Sequence, residues 1–291
     1  MKKIKVLALC AIVAGFATSC QKEDVATETQ EVVKEELSKS QIDALAKAGI
    51  NSGGASIGIY ESKLPGDDYL RNQRVITIGD LAIPEAELEG GKLSLATASD
   101  GINKQYRTNN LVTGSNRSFR VVGYTGSCCA LTSKMRTALQ WAVNNYNRLN
   151  TALNLNLVFQ SNFNNSDMVV YNNGRGGGGG SAGFPSGGQV FKRVQINAGT
   201  DSFSTNVVEH VMTHEIGHSV GFRHTDYARR KCDGSNEGTA GIGAILIPGT
   251  QSGNQWGGSN IDSNSIMISC FDGNEDGEFS QGDITALNAL Y

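Results

Sequence analysis

Four histidines occur in 291 residues, and all of them fall within one run, Val207 to His224, V-V-E-H-V-M-T-H-E-I-G-H-S-V-G-F-R-H. His214 and His218 stand four apart, so on a helix of about 3.6 residues per turn they are offset by roughly 40° and face the same point. Gly221 can take the positive φ that ends a helix and reverses the chain, which brings His224 to a third side of that point. A fold that accepts this run must therefore hold a helix, a tight return and a loop around one centre. Three neutral imidazoles suit zinc and leave a fourth position open to water, as in a catalytic zinc site. Glu215, next to the first ligand and not itself a ligand, is placed to act as general base. His210, one turn upstream, is read as a packed helix residue.

H-E-x-x-H alone recurs by chance, but H-E-x-x-H-x-x-G-x-x-H fixes five identities at set spacing. The stretch H214-E-I-G-H218-S-V-G-F-R-H224 resembles the metzincin clan of zinc endopeptidases, and within it the dual-action HEIGH metallopeptidases, with astacins as relatives. That resemblance implies an α+β fold: a mixed twisted sheet with an edge strand over the cleft, a long zinc helix, a methionine turn and a C-terminal helix. It implies Met267, in S265-I-M-I-S269, as the apolar floor beneath the metal. Astacins carry a catalytic tyrosine two residues after that methionine. Ser269 stands there in this chain, so no tyrosine role is assigned.

The N-terminus, M-K-K-I-K followed by an apolar run from Val6 to Phe16 and then A17-T-S-C20, has the charge and length of a signal peptide, so residues 1–19 are set aside. Cys20 resembles the lipidated residue of a lipobox, and Q21-K-E-D24 an export signal of bacterial surface lipoproteins. The reading is an outer-membrane or cell-surface lipoprotein with a lipid anchor, the alternative a secreted or periplasmic protein. An exported chain is expected to oxidise Cys128, Cys129, Cys232 and Cys270. A bond between the neighbours Cys128 and Cys129 would be strained, so each is expected to pair with Cys232 or Cys270. A net charge of −3 provides no basic footprint for nucleic acid, and a monomer is expected.

Residues 20–104 read as a tether and pro-segment ahead of a catalytic domain at 105–291. The periodicity predicts a helix from Glu31 to Ala48, stopped by Gly49, and R74-V-I-T-I-G-D-L-A-I83 reads as extended chain. I78-G-D-L81 resembles the F-x-G-D-I stretch with which astacin pro-segments cover their zinc. Asp80 is then a candidate latency ligand; the other reading makes Gly79-Asp80 a turn between two strands. Further on, the pattern predicts strands at 117–122, 153–159, 168–171 and 190–197, and a helix from Leu131 to Leu149. The glycine run Gly176 to Gly180 lacks the Lys-Ser/Thr of a phosphate loop and is read as a bulge. The resemblance implies a cleft-rim edge strand in this region, able to bind an extended peptide. The zinc helix is expected to start at Asn206, with Glu209 completing a capping box.

D272-G-N-E-D-G-E-F-S-Q-G-D283 matches a calcium loop in part, through Asp272, Asn274, Asp276, Glu278 and Asp283; alternatively Ser280 and Asp283 cap a final helix, Ile284 to Tyr291. The sequence thus points to a zinc endopeptidase cutting extended protein or peptide segments, made as a latent precursor, with calcium as a second candidate ion. The rival reading is a non-catalytic surface lipoprotein that retains fold and zinc.

Overall fold

The computed structural model describes residues 35–47, 52, 55–59, 62–69, 73–86, 105–239, 243–251 and 253–291. The leader, Cys20, the tether, Gly49 and the second half of the pro-segment lie outside the described residues.

The main sheet has five strands in the order β6-β5-β7-β9-β8. These are β5 (Ser118–Tyr124), β6 (Asn154–Gln160), β7 (Met168–Asn172), β8 (Gly180–Ser181) and β9 (Arg193–Ile196). The first four in that order run parallel, and β8 is antiparallel to β9 at the rim. Parallel strands bury both faces, which is why Met168–Tyr171 of β7 and all of β9 are buried, Arg193 and Gln195 included. One face packs on α2 (Ser133–Asn147) and α3 (Thr205–Val220) through Val121, Leu139, Val143, Met168, Val194, Val208 and Met212. On the other face Val122, Tyr124, Val169 and Tyr171 are covered by Leu64, and Arg193 is bound to Asp67.

The N-terminal segment builds a second, smaller core. β1 (Ala55–Ile59), β2 (Arg74–Ile78) and β3 (Leu81–Pro84) form an antiparallel meander. Ile57, Ile76, Ile78 and Ile83 pack with Leu45 of α1 (Lys39–Lys47). Ile78 pairs with Leu81, so Gly79 and Asp80 alone form the hairpin loop. The helix expected from Glu31 is thus shorter, and the 74–83 run is both a hairpin and, below, part of the site.

α3 is capped by Ser204, whose hydroxyl accepts from Val207 N, rather than by Asn206. Glu209 is turned inward, accepting from Asn145 Nδ2 at 2.8 Å. The final helix, α4 (Gln281–Leu290), begins before Ile284: Ser280 and Asp283 exchange both bonds of a capping box. Its end returns to α3, where the Tyr291 hydroxyl donates to Val220 O. β4 (Gln105–Arg107) pairs with β10 (Ile245–Ile247) beside it.

The disulfide pairing differs from the expectation. Cys232 bonds to Cys270, with Cα atoms 5.5 Å apart, and Cys128 and Cys129 are free thiols. Cys129 packs in the Leu64–Tyr124 cluster and points at Lys63 O, 3.0 Å away. The cluster on that face of the sheet engages the thiol, while the two remaining cysteines meet across the loop after His224.

Candidate metal centre

α3 is enclosed on all sides: every residue from Val207 to Val220 is buried. It therefore carries no polar stripe, and its histidines face the interior. Gly221, at φ 112°, ends it in the left-handed region. A Cβ there would also come within 2.8 Å of Leu111 Cδ2, so only glycine makes this turn.

The return brings three imidazoles together. The Nε2–Nε2 separations are 3.0 Å for His214–His218, 3.1 Å for His214–His224 and 3.1 Å for His218–His224. Each opposite nitrogen faces an acceptor: Nδ1 of His214 donates to Ile266 O at 2.6 Å, Nδ1 of His218 to Phe222 O at 2.8 Å, and Nδ1 of His224 to Glu237. With protons held on Nδ1, three lone pairs point at one another, which is repulsive unless a cation lies between them.

Asp80, at the tip of the β2–β3 hairpin, supplies the fourth corner, with Oδ2 3.3 Å from Nε2 of both His214 and His224. The three Nε2 atoms, 3.0–3.1 Å apart, can all stand about 2.0–2.1 Å from one ion lying just off their plane, the length of a zinc–nitrogen bond, and the four ligand atoms all lie within 4.8 Å of one another. Among the described residues this is the one group of three or more such side chains able to hold an ion. Burial disfavours charge on Asp80, but the His224 charge and hydrogen bonds from His214 and His224 hold its carboxyl well below the usual range. Burial also pulls His224 down, and Asp80 and Glu237 overcome it, pushing its pKa up to about 10. Burial and the two neighbouring rings push His218 well below its usual value. In place of the extra proton that His224 holds between Asp80 and Glu237, a divalent cation would meet three ring nitrogens and an ionised carboxylate, a donor set that fits it.

Glu215 lies beside this centre with Oε2 buried and unpaired. A Cβ on Gly180 of β8 would sit 2.8 Å from Glu215 Oε1, so the edge strand approaches the carboxylate only because it is glycine. Burial and the charge on Asp80 push its pKa well above the usual carboxylate value. Met267 packs beneath: its Sδ would stand 2.5 Å from a Cβ on Gly217. Asp226 ties that turn in place, accepting from Ser269 N at 3.0 Å and Ser269 Oγ at 2.8 Å.

The hairpin lies along the rim. Ala182 N donates to Asp80 O and Ala82 N to Ala182 O, both at 3.3 Å, a parallel pairing. On one side of Asp80 a cavity of about 270 Å³ is bounded by Gly178–Gly180, Val211, Glu215 and Phe271. A second cavity of about 390 Å³ is bounded by Phe184, Val190 and, from the hairpin, Val75, Ala82 and Pro84.

Glu237 escaped sequence reading. It is fully buried, receives His224 Nδ1 and stands 3.3 Å from both Arg223 Nη2 and Arg230 Nε. No motif marks it, thirteen residues past His224 in a glycine-rich loop. His210 is buried with its pKa lowered to about 3, first by burial and then by His214.

In the calcium-like loop several carboxylates have protein partners. Asp283 is buried and accepts from Gln105 Nε2, Ser265 Oγ, Ile266 N and Ser280 N. Glu278 is paired with Arg148, and Asp272 faces Lys231 at 3.6 Å. Helix capping takes the twelfth-position carboxylate that a calcium ion would need, and among the described residues Asp272, Asn274, Asp276 and Glu278 form no cation-holding group.

Residues 85–291 match the family model described as dual-action HEIGH metallo-peptidase. The chain is similar to two solved structures of myroilysin. One is 16% identical with a TM-score of 0.38, covering 62% of this chain and 82% of that one. The other is 17% identical with a TM-score of 0.36, covering 70% and 93%. A search of curated proteins returns no match.

Proposed function

We propose, because the chain belongs to the dual-action HEIGH metallopeptidase family, that it is a zinc endopeptidase of metzincin type held latent by its own Asp80. A metallopeptidase of this family acts on proteins or peptides. The observation that carries the finer reading is the cage of His214, His218 and His224 Nε2 closed by Asp80 Oδ2. Zinc held by the three histidines would supply Lewis acidity and, with Asp80 withdrawn, a water of lowered pKa.

The residues fix the direction of the substrate. Glu215 accepts the proton of the attacking water and returns it to the leaving amine, so the amine side of the cut bond must lie within its reach. Glu215 sits against Gly180 and borders the cavity at Gly178–Gly180. The substrate therefore runs antiparallel to β8, its C-terminal part toward that cavity and its N-terminal part toward Phe184. Main-chain bonds to a short open edge suit an extended segment of any sequence. One cavity at Asp80 and a second bounded by Ala82 and Pro84 of β3 support endopeptidase over exopeptidase action.

The β2–β3 hairpin runs the opposite way, parallel to β8. It fills the cleft with no scissile amide in productive register, and its carboxylate takes the position needed by water. Residues 20–104 thus act as a pro-segment. On the leader sequence alone, export as a lipoprotein on Cys20 completes the reading.

The test is a casein assay on the zinc-loaded full chain with metal quantified. Asp80→Ala should raise the rate and Glu215→Ala should retain zinc but abolish cleavage. Full activity of Glu215→Ala would remove the base, and a full chain without stoichiometric metal would remove the zinc site. Zinc without cleavage in every variant would favour a binding lipoprotein.

A further inference from the structure

The cavity beside Gly178–Gly180 contains a charge that the proposed chemistry does not use. Arg230 borders it and is only 5% exposed. Its Nε is 3.3 Å from Glu237 Oε1 yet makes no hydrogen bond. Glu237 also faces Arg223, so two buried guanidinium groups share this one buried carboxylate, and the further acid acting on Arg230 is Asp233 on the exposed side of its loop. At the outer end Nη2 meets only the weak acceptor Sγ of Cys232, at 3.5 Å.

Gly79 of the hairpin covers this guanidinium. A Cβ on Gly79 would fall 2.4 and 2.6 Å from Nη2 and Nη1, so the turn residue lies flat on the charge. Once the hairpin leaves, the fork faces the cleft. Val211, Ile268 and Phe271 give the cavity apolar walls suited to a short aliphatic stem. Of the acids nearby, Asp80 departs with the hairpin, Glu215 stays at the metal end, Glu237 does not line the cavity, and Asp233 is exposed and does not line it either. The Cys232–Cys270 bond fixes the Arg230 loop to the 268–271 wall. A planar fork with unsatisfied donors in a water-poor pocket matches a carboxylate.

We infer that this cavity receives the side chain of the residue following the cut bond, and that Arg230 selects aspartate or glutamate there. The inference rests on the peptidase reading and the substrate direction derived from it.

The probes are two labelled peptides identical except for Glu or Gln immediately after the central bond. Binding is read by fluorescence anisotropy on the zinc-loaded full chain carrying Asp80→Ala and Glu215→Gln, so that no cleavage intervenes. The Glu peptide should bind about tenfold tighter or better, as for a desolvated charge-assisted pair. Arg230→Met should bring the ratio to about one, and Arg230→Lys should keep part of it. Equal affinities, a preference for Gln, or no binding of either peptide overturns the inference, and if the Arg230 variants fail to fold, the ratio with Arg230 in place decides. Cleavage by the Asp80→Ala chain with Glu215 intact separates the two readings. Equal cutting of both peptides sinks the acidic preference and leaves the peptidase standing. Glu-selective binding without cutting sinks the peptidase and leaves the pocket assignment standing.

Discussion

Glu237 is the group whose removal most directly tests how the site is held. It fixes the tautomer of His224 by accepting from Nδ1, and it is the carboxylate opposite Arg223 and Arg230. Glu237→Gln keeps the shape, removes the charge and turns an amide toward two guanidinium groups. A carboxylate orienting a ligating histidine is worth about 10- to 100-fold in metal affinity, roughly 1.4–2.7 kcal/mol. Full burial on both sides places this pair toward the upper end. Stability should fall too: stripping one member from a buried ion cluster costs about 3–5 kcal/mol, a large part of the roughly 5–15 kcal/mol that holds a domain together. The two effects separate if zinc affinity is measured by chelator competition under conditions where both proteins are folded, and stability by urea unfolding of the metal-free forms. The expected outcome is loss of both. A variant that is destabilised yet binds zinc within about twofold of wild type would refute the positioning role, because the ring would be held without it.

Four further outcomes follow from the geometry. Replacing Cys232 and Cys270 by serine opens a loop spanning a sequence separation of 38; chain entropy alone puts the loss at about 4 kcal/mol, read as a lower urea midpoint. Gly221→Ala forces a left-handed φ on a residue with a Cβ beside Leu111, and should cost about 1 kcal/mol or more in thermal unfolding. Glu209 has its pKa raised to about 7, by burial and then the charge of Glu278. A raised carboxyl means that the folded state binds more protons than the unfolded one between about 4.5 and 7, so its contribution to stability is lost as pH rises through that window and stays lost above it. Glu209→Gln should therefore gain on wild type between pH 5 and pH 8 at fixed metal, and a pH-independent difference would contradict the assignment. Asp80→Asn, which keeps the size but not the charge, should make the full chain more active on casein than wild type; equal silence would take the latch away from this residue.

Much of the site could be read from the residues because its logic is local. The spacing of His214, His218 and His224, the glycine at 221 and the acid at 215 follow from helix geometry and one turn. What could not be read depends on contacts distant in sequence. Glu237 reaches His224 from a loop with no periodicity, and Arg230 reaches the cavity from the same loop. Strain between the neighbours Cys128 and Cys129 says nothing of the pairing, which is set by the loops that bring the Cα atoms of Cys232 and Cys270 within 5.5 Å. Asn206 and Glu209 fit a capping box, yet Ser204 two residues earlier is also a favoured N-cap residue and accepts from Val207 N, and the buried partner Asn145 takes Glu209. In the 272–283 loop, oxygen spacing suited an ion, but Asp283 bonds to Gln105 and Ser265, residues that no local pattern places beside it.

The Gly79-Asp80 pair shows how two readings that appear exclusive become one. A two-residue hairpin loop needs a residue with positive φ, and Gly79 provides it at 64°. The same tight tip projects the next side chain beyond the ends of both strands, which is what allows Asp80 to reach two ring nitrogens at 3.3 Å. A longer loop would give the carboxylate freedom to leave, and a bulkier residue than glycine would strike Arg230. Turn geometry therefore sets the reach and rigidity of the Asp80 carboxylate, the proposed fourth ligand, and the Ile57–Ile76–Ile83 core with Leu45 anchors it. On this argument, loosening the anchor should act like removing the carboxylate. Ile76→Ala deletes a fully buried side chain in that small core, at a cost of about 2–5 kcal/mol, and lies well away from the metal. It should raise casein cleavage by the full chain with Asp80 still in place. Destabilisation of the hairpin, seen as faster amide exchange in β2 and β3, with no gain in cleavage would show that the carboxylate does not depend on the sheet that presents it.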